Sequence, residues 1–179
     1  MATMKRGWVV GLLVAIVATS AIAGLAADEF WWRSCVTADS ELPADVQEMV
    51  LEALVGAEGE YAAYATYAAI IDAYGEVNPF TNIMASEARH IEALMSILDA
   101  YGVPYPEENP YLGTIEVPES LAAASQAGVD AEIANADLYE GQLAAVADYP
   151  EIYSVFVNLQ SASLNQHLPA FERAVARYS

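Results

Sequence analysis

Glu87 and His90 stand three residues apart in Ser86-Glu87-Ala88-Arg89-His90, a spacing that puts a carboxylate and an imidazole on one face of a helix. Across Phe80, Ile83, Met84, Glu87, His90, Ile91, Leu94, Ile97 and Leu98 the periodicity is helical, and the two ionisable residues fall on the apolar stripe. A buried carboxylate without a partner costs several kcal/mol, so something must satisfy it, and a metal ion is the leading candidate. His167 is the only other histidine. Cys35 is the only cysteine, which rules out an intrachain disulfide and a thiolate metal cluster.

Four long helices must position these groups. Ser40-Glu41-Leu42-Pro43 opens the first, which is expected over about 43–74 and stops at Gly75. Asn78-Pro79 opens the second, to about Tyr101, before Gly102. Residues 103–117 are rich in proline and glycine and form the one long connection. The third helix is expected over about 118–148 and the fourth, after Tyr149-Pro150, over about 150–177. No strand-like alternation competes. Short first and last connections around a longer middle one describe an all-α four-helix bundle over 43–179.

Each helix offers an inward polar site. Glu60 shares a face with Ala53, Ala57, Tyr64, Tyr67 and Ile71; Glu132 with Leu121, Ser125, Tyr139, Leu143 and Val146; His167 with Tyr153, Phe156, Gln160, Ser163 and Phe171. Their depths agree as well. Glu60 lies 14 residues before Tyr74, and Glu87 and His90 lie 8 and 11 after Pro79. Glu132 lies 16 before Asp148, and His167 lies 17 after Pro150. At ~1.5 Å of rise per residue, antiparallel neighbours would deliver all five side chains to within about one or two turns of a common layer.

Over about residues 45–178 the chain resembles the ferritin-like superfamily, and within it an uncharacterised bacterial and archaeal family of ferritin-like domains of unknown function. The residues that carry the match are Glu60, Ser86-Glu87-Ala88-Arg89-His90, Glu132 to Leu138, and Asn165-Gln166-His167-Leu168-Pro169-Ala170-Phe171. The resemblance implies a carboxylate-histidine metal site built from Glu60, Glu87, His90, Glu132 and His167, usually holding iron or another divalent metal. The superfamily template sets a glutamate on each of two helices and Glu-x-x-His on each of the other two. The second of those motifs needs a glutamate at position 164, where this chain has Leu164. That departure points to a weakened second metal position, and leaves open a mononuclear, asymmetric or empty site. Glu58 and Asp137 are candidates to compensate, although neither sits well on the inward face, and Glu58, Asp130 and Glu140 read as surface carboxylates.

Two further features lie beside this constellation. Tyr61, Tyr64 and Tyr67 line the first helix next to Glu60, either as packing residues or in a radical or electron-transfer role. Pro169 removes a backbone donor inside the fourth helix and should kink it near His167.

Composition narrows the rest. With 25 acidic and 6 basic residues the formal net charge is -19, and Lys5 is the only lysine. A nucleic-acid partner is excluded, because neutralising phosphates needs a basic surface. A lysine-poor acidic surface fits a saline habitat, where self-repulsion is screened. Lys5 and Arg6 precede an uncharged run over 7–27, expected as a signal peptide or a single membrane-spanning helix, with 28–42 as linker. Ala21-Ile22-Ala23 would suit cleavage, and Phe30-Trp31-Trp32 would suit retention at a membrane interface. A pilin-type leader is a third reading, against which stands the lack of a glutamate near the start of the run.

Two functions follow as expectations. One is an exported, membrane-tethered or secreted metal-binding bundle that oxidises ferrous iron with dioxygen or peroxide as a di-iron or mono-iron oxidase. The other is a non-catalytic structural or accessory subunit that uses the bundle as a packing module in a membrane or surface assembly. A homo-oligomer is compatible with both, whereas a mineral-storing cage fits poorly with an N-terminal membrane helix.

Overall fold

A computed structural model describes Val36 and residues 40–179. The signal or membrane helix expected over 1–27, and most of the linker, lie outside the described residues. Among the described residues the chain is all-helical, without a strand, and no helix is long and apolar enough to cross a membrane. The order is α1 (Ala44–Val55), α2 (Glu60–Tyr74), α3 (Phe80–Ala100), α4 (Leu121–Gln142), α5 (Pro150–Ala162), a π-turn (Ser163–His167) and α6 (Leu168–Tyr178).

The local reasons are specific. Ser120 caps α4 by accepting the Ala123 N–H at 3.1 Å, and Pro150 occupies the first turn of α5, where a missing N–H leaves nothing unpaired. Gly75, with φ at 84°, ends α2 in a backbone conformation that suits glycine. The stretch expected as one helix over 43–74 is broken at 56–59. There the chain passes so close to the end of α1 that a Cβ on Gly59 would stand 2.5 Å from the Ala53 carbonyl oxygen. Glu60 therefore opens α2 instead of lying within a continuous helix.

Apolar layers sit on both sides of the inward polar residues. Along α3, Phe80 and Ile83 come before Glu87, and Leu94, Ile97 and Leu98 come after it, all buried. The rings of Tyr67, Phe80 and Phe171 meet at centroid distances of 5.2–6.1 Å, and Tyr139 meets Phe156 edge-on at 5.1 Å. The long connection is stitched to the first two helices: Tyr111 donates to the Val55 carbonyl, Tyr61 to that of Pro106 and Tyr74 to that of Pro118. Tyr61 thus anchors a loop. The third helix ends at Gln142, short of the expected 148, and the chain reaches Pro150 through turns.

Candidate metal centre

The five candidate ligands come together. Glu60 enters from the start of α2, Glu87 and His90 from one face of α3, Glu132 from α4 and His167 from the π-turn. Glu60, Glu87 and Glu132 are only 1–2% exposed and His167 is 4% exposed. Among the described residues no lysine or arginine accompanies them, and Arg89 is exposed. The two imidazoles are left as the basic groups facing three buried carboxylates.

Glu87 is the hinge of the arrangement. Its Oε2 lies 2.8 Å from His90 Nδ1, and its Oε1 lies 3.1 Å from His167 Nδ1. His90 Nδ1 also lies 3.2 Å from Glu60 Oε2, and His167 Nδ1 lies 3.3 Å from Glu132 Oε2. The imidazoles stack with centroids 5.5 Å apart. Two ligand triads result, Glu60-Glu87-His90 and Glu87-Glu132-His167, each with one donor atom per residue within 4.8 Å of the others. Glu87 belongs to both.

The outer oxygens of the terminal carboxylates are held crosswise. Tyr67 on α2 donates to Glu132 Oε1 at 2.7 Å, and Tyr139 on α4 donates to Glu60 Oε1 at 2.5 Å. Each tyrosine stands seven residues after its own helix's glutamate, Glu60 to Tyr67 and Glu132 to Tyr139, so one spacing serves both helices. That repeat is visible in the sequence, where Tyr67 reads as a packing or electron-transfer residue and Tyr139 as sharing a face with Glu132. Asn135 adds a second donor to Glu60 Oε1 at 3.3 Å and also holds the Glu58 carbonyl at 2.9 Å. Ser86 stands 3.3 Å from His90 Nε2.

Electrostatics match this geometry. Burial opposes ionisation of Glu60, but hydrogen bonding with His90 and Glu87, the His90 charge and the Tyr139 hydroxyl outweigh it and hold the carboxyl down at about 2. Burial and the nearby Glu60 charge push Glu87 up to about 7, against hydrogen bonds from both histidines. Burial disfavours the imidazolium forms, yet hydrogen bonds to Glu60 and Glu87 lift His90 to about 10, and those to Glu132 and Glu87 lift His167 to about 9. Burial and the neighbouring carboxylates raise Tyr67 and Tyr139 well above the usual range, so both stay hydroxyl donors at neutral pH. The centre holds positive charge, as protons, between its carboxylates. A divalent cation would replace those protons on the same atoms, and the carboxylate-imidazole donor set suits that class of ion.

The expected gap at Leu164 has a different form. Leu164 is 43% exposed, and the buried residue of that turn is Ser163, at 2%. The Leu168 N–H bonds the Ser163 carbonyl five residues back, which widens the turn and shifts the register by one residue. Ser163, on the His167 face as its spacing predicts, is inward and donates to Asn135 Oδ1 at 2.7 Å. Upstream the register also differs from the expected face, since Tyr153 is 42% exposed while Ile152 is buried. The π-turn directly precedes Pro169, whose missing N–H already weakens a regular helical ladder there. Glu58, Asp130, Asp137 and Glu140 are all exposed, so neither Glu58 nor Asp137 substitutes for the absent carboxylate.

No family model matches the chain, and no curated protein does. Among solved structures it is similar to the crystal structure of hypothetical protein MJ0754 from Methanococcus jannaschii DSM 2661, with a TM-score of 0.67 and 23% identity over 79% of this chain and 85% of that one. At that identity the likeness speaks for the shared fold alone.

Proposed function

We propose that this protein is a ferritin-like metalloprotein whose centre takes two divalent cations, iron by preference, and that it oxidises ferrous iron with dioxygen or peroxide. The observation that carries the reading is Glu87, whose two carboxylate oxygens each face a different imidazole and whose triads are otherwise separate.

The chain's own groups have distinct tasks in this reading. Glu60 and Glu132 present Oε2 inward because tyrosines occupy their Oε1 atoms. His90 and His167 present Nδ1. Iron bound there would supply the electrons for reduction of the oxidant. Ser163, buried one turn before His167 and bonded to Asn135, adds no carboxylate to the centre. Export, with anchoring or secretion, rests on Lys5, Arg6 and the uncharged run over 7–27.

Metal analysis of protein produced with iron, against a Glu87→Ala, His90→Ala double variant, tests the reading. Two equivalents of metal per parent chain and none in the variant are expected. A parent carrying no more iron, manganese or zinc than the variant sinks the metalloprotein, and ferrous oxidation no faster than in buffer sinks the oxidase alone.

A further inference from the structure

A cleft of about 90 Å³ lies between α2 and α4. Ala62, Ala63, Ala131 and Ala134 wall it, Glu87 and Glu132 lie at its buried end, and the exposed Glu58 lines its outer part. Neither Glu60 nor His90 lines it. The cleft therefore meets two members of the Glu87-Glu132-His167 triad, Glu87 and Glu132, and of the other triad only the shared Glu87.

Its size decides what can use it. Sites for organic ligands occupy roughly 300–1,000 Å³, whereas one water needs only about 10–15 Å³. A space of about 90 Å³ admits a few waters or a partly hydrated ion and no organic substrate. Thr66, Tyr67 and Asn135 also line it, their side-chain donors engaged by the Ala62 carbonyl, by Glu132 and by Glu58 and Glu60, and the carboxylates at its end are what a cation would move towards. A chain of net charge -19 also raises the local concentration of cations at its surface.

We propose that this cleft is the access route of divalent metal ions to the centre, and that its alanine walls limit the traffic to small inorganic species. The inference rests on the metal-binding reading and adds the direction from which the centre is filled: ions arrive first at the Glu87-Glu132-His167 triad.

The test plugs the cleft without touching a ligand. Ala62→Leu with Ala134→Leu adds six carbons to its walls, and Ala73→Leu, at an exposed position of α2, is the control. Cobalt(II) serves as the probe, with loading followed by stopped-flow visible absorption, release followed with a chelator, and the dissociation constant taken from equilibrium titration. The plugged variant should load and release cobalt at least tenfold more slowly, with Kd within threefold of the parent's, while Ala73→Leu matches the parent. Circular dichroism reports folding. Should the double variant not fold, Glu58→Lys leaves the walls intact and should slow loading threefold or more at low ionic strength and not at high. Parent-like loading in a folded plugged variant overturns the route, as does slower loading matched by lost affinity with unchanged release. A parent that binds no cobalt sinks the metal reading itself, an outcome distinct from either.

Discussion

Tyr67→Phe deletes one oxygen from a fully buried ring and leaves its packing against Phe80 and Phe171 in place. What it removes is the 2.7 Å hydrogen bond to Glu132 Oε1, an atom with no other hydrogen bond among the described residues. Hydrogen bonds to charged groups contribute about 1.5–3 kcal/mol, and a buried acceptor left unmatched falls at the upper end. A loss of ~2–3 kcal/mol is expected for the metal-free protein. For a folded unit of this size that is a fall in Tm of roughly 6–12 °C. Tyr139→Phe is the internal comparison. Glu60 Oε1 retains Asn135 as a second donor at 3.3 Å, so the loss there should be smaller, about 1–2 kcal/mol. Urea unfolding in the presence of a chelator measures both, and combining Tyr67→Phe with Glu132→Gln closes a double-mutant cycle. The coupling should be about 1–2 kcal/mol, since a neutral amide needs the hydroxyl less. A cycle without coupling, or a Tyr139→Phe loss larger than that of Tyr67→Phe, refutes the crossed tyrosine-carboxylate argument.

The metal-free protein should lose stability as pH rises. His90 and His167 are lifted to about 10 and 9, above their unfolded value of 6.5, so their stabilisation is complete below about pH 6.5 and disappears through pH 9–10, as urea midpoints across that range would report. Glu87, pushed up to about 7, acts in the same direction, while the contribution of Glu60, held at about 2, is lost only when pH falls below the carboxylate range. Leu164→Glu should leave cobalt affinity within twofold of the parent in calorimetric titration, whereas Ser163→Glu should change it at least fivefold, because only Ser163 is buried at the centre. Gly128→Ala should destabilise, since its Cβ would meet the buried Phe171 ring at 2.6 Å, by ~1–3 kcal/mol of overpacking less about 1 kcal/mol of helix propensity. Gly141→Ala, in the same helix with nothing within 4 Å of the added carbon, should stabilise by up to about 1 kcal/mol in the same thermal scan.

The sequence by itself determined the helical class, the long connection over 103–117 and the face carrying Glu87 and His90, because each rests on periodicity or on turn residues a few positions apart; the faces expected around Glu60 and Glu132 hold only within α2 and α4, which exclude Ala53, Ala57, Leu143 and Val146. Counting residues from the turns also put the five side chains at compatible depth, since helical rise is nearly constant. Three features were decided by the folded backbone and not by a regular helical period. The break at 56–59 runs close along the end of α1, where a Cβ on Gly56 or Gly59 would stand 2.5 Å from a carbonyl oxygen. The crossing of Tyr67 and Tyr139 requires α2 and α4 to face each other across the centre. The exposure of Tyr153 and the burial of Ile152 in its place go with a turn widened by one residue, which no regular 3.6-residue period can represent. Counting back from His167 along a uniform helix reaches Ser163, which does lie inward, and then Tyr153, which the local change of pitch turns out to solvent while Ile152 turns in.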